Sequence, residues 1–303
     1  MAYSITAPSY VEQPEQLIYQ KLFSGSPTMD LVKNKQTGIK SAETISVVNT
    51  RGVFQAQSCA FNASGTTAIT QRTITVGKTK IDMLWCERDL EPYFTQKKLA
   101  AGGDYDSLAY TKEIIDDTME NAKKDIEIAL WQGDTTSLNA YLNRFDGFVK
   151  IIGAATIGGT YSGTAWSEAN SRTVIKGLAT LVIANNDVYQ GNPTIKMLMS
   201  PQMAATYRFK LRTDNLFNTT GEESKLYAEG ANIEIVEVAG LSGLNYIYAI
   251  EPENMYIGTD MANEEEKFKV WKSDDDQNLK FHAEWKLGVQ VAFPSRVYKY
   301  LGV

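Results

Sequence analysis

Residues 44–81, TISVVNTRGVFQAQSCAFNASGTTAITQRTITVGKTKI, decide the architecture. Two runs, 44–61 and 68–81, are rich in Thr, Val and Ile, which suit a pleated strand. Between them, residues 62–67 (NASGTT) supply turn chemistry. The spacing predicts a long β-hairpin. Its apolar content thins toward the tip, at Gln55, Gln57, Ser58, Thr70, Gln71 and Thr73. A two-stranded ribbon without a strong apolar face is marginal in water. This one also carries Arg51, Arg72, Lys78 and Lys80 and no acidic side chain. Lying on an acidic neighbour would steady it; the plainer alternative is a solvated hairpin at a sheet edge.

Downstream, Ile81, Met83 and Trp85 alternate as a half-buried strand does, and Pro92 breaks the run. Residues 100–106 (AAGGDYD) read as a loop. A long helix is predicted over Ser107–Gln132. Ile115, Met119, Ala122, Ile126 and Leu130 recur at spacings of three and four, Glu120 stands four before Lys124, and Gly133 ends the run. At 1.5 Å per residue such a rod spans about 40 Å. Its single apolar stripe suits a helix lying across a sheet.

The middle, about 140–260, reads as a mixed α/β layer. Helices are predicted over 167–189 and from Ser200-Pro201 to about 212, and strands over 194–199, 233–238 and 246–250. Residues 153–163 (GAATIGGTYSG) read as a flexible loop and 217–230 as a polar loop. The end is strand-rich: 255–257, 268–271, 279–285 and 288–293, with Asp274-Asp275-Asp276 as a turn.

Upstream, Pro8, Pro14, Gly25, Pro27 and Gly38 interrupt the first 40 residues, which read as an arm. One short amphipathic stretch, 14–23, puts Leu17, Ile18 and Leu22 on a shared face. It has too few apolar residues to fold alone.

Composition is that of a globular chain: 303 residues, 43% hydrophobic and 22% charged. The start lacks a signal-peptide pattern, and no apolar run approaches a membrane span, so no membrane association is expected. Cys59 and Cys86 do not make a disulfide framework, and a reducing compartment fits. The net charge is -6. Residues 1–100 carry 11 basic and 8 acidic side chains, and the remainder 19 and 28. An acidic body does not suit tight nucleic-acid binding.

Catalytic chemistry is missing from the pattern. The single histidine, His282 in LKFHAEW, has no nucleophile in a recognisable motif and reads as an ordinary hydrogen-bonded strand residue. One His and two Cys do not supply a zinc site. Glu264-Glu265-Glu266 and Asp274-Asp275-Asp276 match no calcium loop and read as solvated turns. No phosphate-binding glycine motif is present. Asp116 and Asp117 are adjacent on a helix and do not converge. Tyr207-Arg208-Phe209-Lys210 falls on a helix that would bury half of it. The expectation is a protein that is not an enzyme and needs no cofactor.

The order of parts carries a resemblance. Arm, long hairpin, strand, long helix, α/β middle and β-rich end resemble the major capsid proteins of tailed bacteriophages, the Hong Kong 97-type fold. Local phrases are similar too: residues 81–85, Lys112 to Asp117, Gly133-Asp134, Phe145-Asp146-Gly147-Phe148, and 287–297. The resemblance implies an α+β fold. It would have an N-terminal arm (1–43), an extended β-hairpin loop (44–80), a peripheral domain (81–139 with a spine helix at 107–132, plus 254–303) and an axial α/β domain (140–253).

The resemblance further implies self-assembly in a host cytoplasm into a virion capsid of hexamers and pentamers. That shell would enclose double-stranded DNA without sequence-specific binding, beside a portal. Only about 40 residues precede the hairpin, without a charged coiled-coil pattern, so a separate scaffolding protein is expected. Inter-subunit contacts are expected at Arg51, Phe54, Arg72, Lys78 and Lys80 of the hairpin region and at Leu17, Ile18 and Leu22 of the arm. An encapsulin-like nanocompartment shell and a two-part α/β binding protein or enzyme are the alternatives.

Overall fold

The computed structural model describes residues 26–51, 54–57, 59, 63–86, 107–184, 194–214, 225–260, 268–273 and 278–302. The first half of the chain gives α1 (Pro27–Leu31), β1 (Asn34–Gln36), β2 (Ala42–Arg51), β3 (Thr66–Thr75), β4 (Gly77–Cys86), α2 (Ser107–Gln132) and α3 (Phe148–Ala154). It continues with β5 (Gly159–Gly163), α4 (Ser171–Ile183), β6 (Lys196–Met199), α5 (Pro201–Thr213), β7 (Leu226–Tyr227), β8 (Glu234–Glu237) and β9 (Tyr246–Ile250). The end adds β10 (Met255–Thr259), β11 (Phe268–Lys272), β12 (Asn278–Val291) and β13 (Tyr298–Gly302). This is the α+β arrangement the sequence predicts.

Helix α2 buries its stripe as the spacing requires: Ile115, Met119, Ala122, Ile126 and Leu130 are all in the core. They share one cluster with Phe281, Trp285 and Val289 of β12 and with Met255 and Ile257 of β10. The long helix thus lies across a five-stranded sheet. In that sheet β12 pairs with β4 along one edge and, along the other, with β11 and then β10; β1 adds to β10 in parallel.

A second sheet has the order β5-β13-β9-β6-β8-β7. Successive residues of a strand face opposite sides, and β9 shows both sides buried. Tyr248 and Ile250 join the core under α2, while Ile247 and Ala249 join a separate core. That second core takes Val174, Leu178 and Val182 from α4 and Met203, Tyr207 and Leu211 from α5. Ser200 caps α5 as the Ser-Pro pair suggests, its hydroxyl accepting from the Met203 amide at 3.3 Å.

Several expectations change. Residues 279–285 and 288–293 do not form two strands: β12 runs unbroken through Gly288. The glycine is there for contact, since a Cβ on it would lie 2.2 Å from the Thr75 carbonyl oxygen where β3 ends against β12. Residues 159–163 are not a loop. They pair in parallel with β13, and Tyr161 packs against Tyr300 with ring centroids 6.3 Å apart.

Strand β13 joins the second sheet through β9 and β5, so the expected 254–303 unit divides between the two sheets. Helix α4 starts at Ser171 instead of 167 because the Asn170 side chain takes the Ser167 amide and donates to Thr164 and the Ala165 carbonyl, building a turn before the helix; residues 185–189 lie outside the described residues. Within 217–230, residues 226–227 form β7; 217–224 lie outside the described residues.

Candidate assembly interface

The hairpin forms by antiparallel pairing of β2 with β3, from Ala42 opposite Thr75 to Arg51 opposite Thr66. Its root is fixed to the body. Ile45, Val47 and Ile74 are buried together with Ile39, Val76 and Ala292. Beyond the root the support ends. Val48 and Ile69, directly opposite each other in the ladder, are 58% and 66% exposed, and Phe54 is 100% exposed. A cross-strand apolar pair and a phenylalanine are thus left exposed on the ribbon.

The predicted contact residues fall in three places. Phe54 lies on the distal part of the ribbon. Arg51 ends β2, while Arg72 is half-buried opposite Ile45, near the root. Lys78 and Lys80 belong to β4, within the five-stranded sheet, because the chain leaves the ribbon at Val76 and pairs with β12 from Gly77 onward. Leu17, Ile18 and Leu22 lie outside the described residues, which begin at Ser26.

Lys80 is engaged within the chain. Its ammonium sits 2.6 Å from Asp82, which raises its pKa and holds the Asp82 carboxyl below the usual range; His282, 2.5 Å from Asp82, adds to that. His282 is the register partner of Asp82 across the two strands, an ordinary hydrogen-bonded strand histidine. Among the described residues no cluster of three or more His, Cys, Asp or Glu could hold a metal ion. None of the described helices is long and apolar enough to cross a membrane.

Residues 26–41 form a strap on the chain's own body; residues 1–25 of the arm expected over 1–43 lie outside the described residues. Met29 and Val32 are buried against α2. Asn34 to Gln36 pair with Tyr256 to Gly258. Lys33 reaches Glu253 at 2.8 Å, and the Ile39 amide bonds the Thr259 carbonyl at 3.0 Å. The strap delivers the chain from α2 to the ribbon root.

A further exposed apolar pair was not singled out from the sequence. The loop after α2 presents Leu138 and Tyr141, which are 103% and 80% exposed. Its base is rigid. Lys150 binds Asp134 at 2.6 Å and Asp146 at 2.8 Å, and Asp146 also takes the Thr135 amide. Hydrogen bonds from Lys150 and Thr136 hold the Asp134 carboxyl down at about 2. Burial pushes Asp146 up, but its hydrogen bonds from Lys150 and Thr135 outweigh that and leave it below the usual range. Gly147 closes the loop: its amide bonds the Gly133 carbonyl at 2.8 Å, and a Cβ there would lie 2.6 Å from the Trp131 carbonyl. That close approach accounts for the Phe-Asp-Gly-Phe phrase.

A two-stranded ribbon, a long helix across a sheet and a second α/β layer make up the fold. Solved structures that resemble it include phage capsids and a virus-like particle. The capsid of a native GTA particle matches with a TM-score of 0.60 and 14% identity over 91% of this chain and 90% of that one. The procapsid of satellite phage P4, solved with its size-determination protein, gives 0.61 and 10% over 94% and 90%. A virus-like particle from Pyrococcus furiosus gives 0.55 and 9% over 96% and 99%. No protein-family model and no curated protein matches the chain. The chain has the fold of the tailed-phage major capsid proteins, the Hong Kong 97 type.

Proposed function

We propose that this chain is the major capsid protein of a tailed phage, assembling in the host cytoplasm into an icosahedral virion shell of hexamers and pentamers around double-stranded DNA. The observation that carries the reading is the ribbon: an ordered ladder whose distal apolar side chains, Val48, Ile69 and Phe54, find no cover among the described residues. The ribbon of one subunit lies on the next, with Arg51, Phe54, Arg72, Lys78 and Lys80 at or beside the contact, and Leu17, Ile18 and Leu22 of the arm reach another copy. Electrostatic complementarity between the ribbon arginines and an acidic body sets register more than affinity. The net charge of -6 suits an interior that leaves packaged DNA mobile. A separate scaffolding protein and a portal are the partners; the P4 procapsid, of like fold, is a shell solved with a second protein.

The likeness to the Pyrococcus furiosus virus-like particle supports a second reading, a nanocompartment shell with protein cargo. Electron microscopy of particles purified from cells making the chain with its neighbouring genes tests both. Closed shells with nuclease-protected DNA are expected. Closed shells filled with protein favour the second reading, and a stable monomer or dimer overturns both.

A further inference from the structure

Glu127 is an anomaly. It sits in the middle of the core-facing side of α2 and is 3% exposed, yet no Lys, Arg or His pairs with it among the described residues. Its neighbours on that side, Ile126 and Leu130, are apolar. All three hydrogen bonds to its carboxylate come from the strap. Ser26 donates its hydroxyl to Oε2, Thr28 donates its hydroxyl to Oε1 at 2.5 Å, and the Thr28 amide lies 3.3 Å from Oε2. Trp131, one turn further along α2, donates its indole N–H to the Thr28 hydroxyl oxygen at 2.7 Å. The Thr28 hydroxyl therefore stands in a chain from indole to carboxylate, and its direction is fixed at both ends.

A buried charged group adds little to stability compared with an apolar side chain of the same shape, and its replacement is often neutral or favourable. What such a group does supply is geometry. Leucine at 127 would pack against many strap conformations, whereas the carboxylate accepts only the one that brings both hydroxyls to it.

We propose that Glu127 is a positioning residue that pins residues 26–28 of the strap to the long helix α2. Its consequence for assembly rests on the shell reading; the pin itself does not. The pin fixes one end of the strap, and the buried Ile39 fixes the other at the ribbon root. The strap's seat on α2 and the base of the ribbon are thereby held in a set relation.

The test is hydrogen exchange on the full chain carrying Glu127→Leu, beside its melting temperature. Amides of residues 28–36 are expected to exchange at least about tenfold faster, since the hydrogen bonds to the Glu127 carboxyl are lost. Exchange in β12 and the melting temperature hold or rise. Unchanged exchange at 28–36 overturns the pin. So does a general rise in exchange, a fall in melting temperature or a failure to fold, any of which makes Glu127 a plain core residue. Thr28→Val, which keeps the carboxylate and removes the shared hydroxyl, gives the same local rise if the pin is real and none if it is not. Particle formation is scored separately. Wild-type chain that makes no shells counts against the shell reading and leaves the exchange result standing.

Discussion

Replacing Phe54 with alanine separates folding from assembly. The side chain is 100% exposed and touches nothing that folding depends on. Surface substitutions of this kind change stability by no more than about 0.5 kcal/mol. If the ribbon lies on the next subunit, Phe54 is covered there. Burying such a side chain is worth roughly 1.5–3 kcal/mol, so its loss weakens each ribbon contact by about 10- to 150-fold. Every subunit has one ribbon, so every subunit loses the contact once. The threshold concentration for shell formation should rise at least about tenfold by the same arithmetic. Light scattering across a concentration series measures the threshold, and thermal unfolding of the subunit serves as control. Particles forming at the wild-type threshold would refute the idea that Phe54 lies in a contact. A melting temperature clearly below wild type would instead show that the ribbon is covered by its own body.

Gly288→Ala puts a methyl group 2.2 Å from the Thr75 carbonyl, where both sides are backbone. Relief requires the end of β3 to move off β12, at a cost of about 1–3 kcal/mol, read as a lower urea midpoint with an unchanged slope. Lys150→Met tests the Asp134 contact through pH. Asp134 is held at about 2, against an ordinary value of 3.8, first by the Lys150 hydrogen bond and then by Thr136. A carboxyl whose folded pKa is depressed stabilises above its unfolded value and loses that contribution as pH falls toward the folded one. The difference in melting temperature between wild type and Lys150→Met should therefore be constant above about pH 4 and shrink toward pH 2. A difference that persists unchanged to pH 2 rules the contact out as its source.

What could be read in the sequence divides by whether the signal was local. The Ser107–Gln132 helix was legible to the residue, because one stripe of Ile, Met, Ala and Leu and a terminal glycine fix both face and end. The hairpin was legible from its β-branched runs, and Tyr246–Ile250 from its apolar run. Strand β5 was not, because Gly159, Ser162 and Gly163 carry no strand signal; its partner β13, well over a hundred residues away, makes it a strand. Gly288 looked like a break for the same reason, since the Thr75 carbonyl that requires a glycine there belongs to a distant element. Within the candidate interface, sequence could nominate Phe54 but could not show that Val48 and Ile69 stand opposite each other, a fact of register. Nor could it show that Lys78 and Lys80 leave the ribbon for the sheet. Glu127 gave no signal at all. A glutamate on a long helix reads as solvated, and only the strap crossing over it makes it buried.

The distribution of apolar contacts explains how one sequence could meet neighbours at more than one angle. The two main cores, under α2 and between α4 and α5, are broad and cross-linked by β9, which contributes side chains to both. Changing the angle between the sheets would disturb both at once. The ribbon root is a much smaller cluster of Ile39, Ile45, Val47, Ile74, Val76 and Ala292. A ten-residue ladder is about 33 Å long, so a small tilt at its root displaces the tip by several ångströms while the ladder bonds stay intact. On the proposed shell reading, subunits in fivefold and sixfold rings need such a range at the tip and none in the body. The apolar surface would then be concentrated where shape must be constant and thinned where it must adapt, and the distal ribbon would gain its fixed position only from a neighbouring surface.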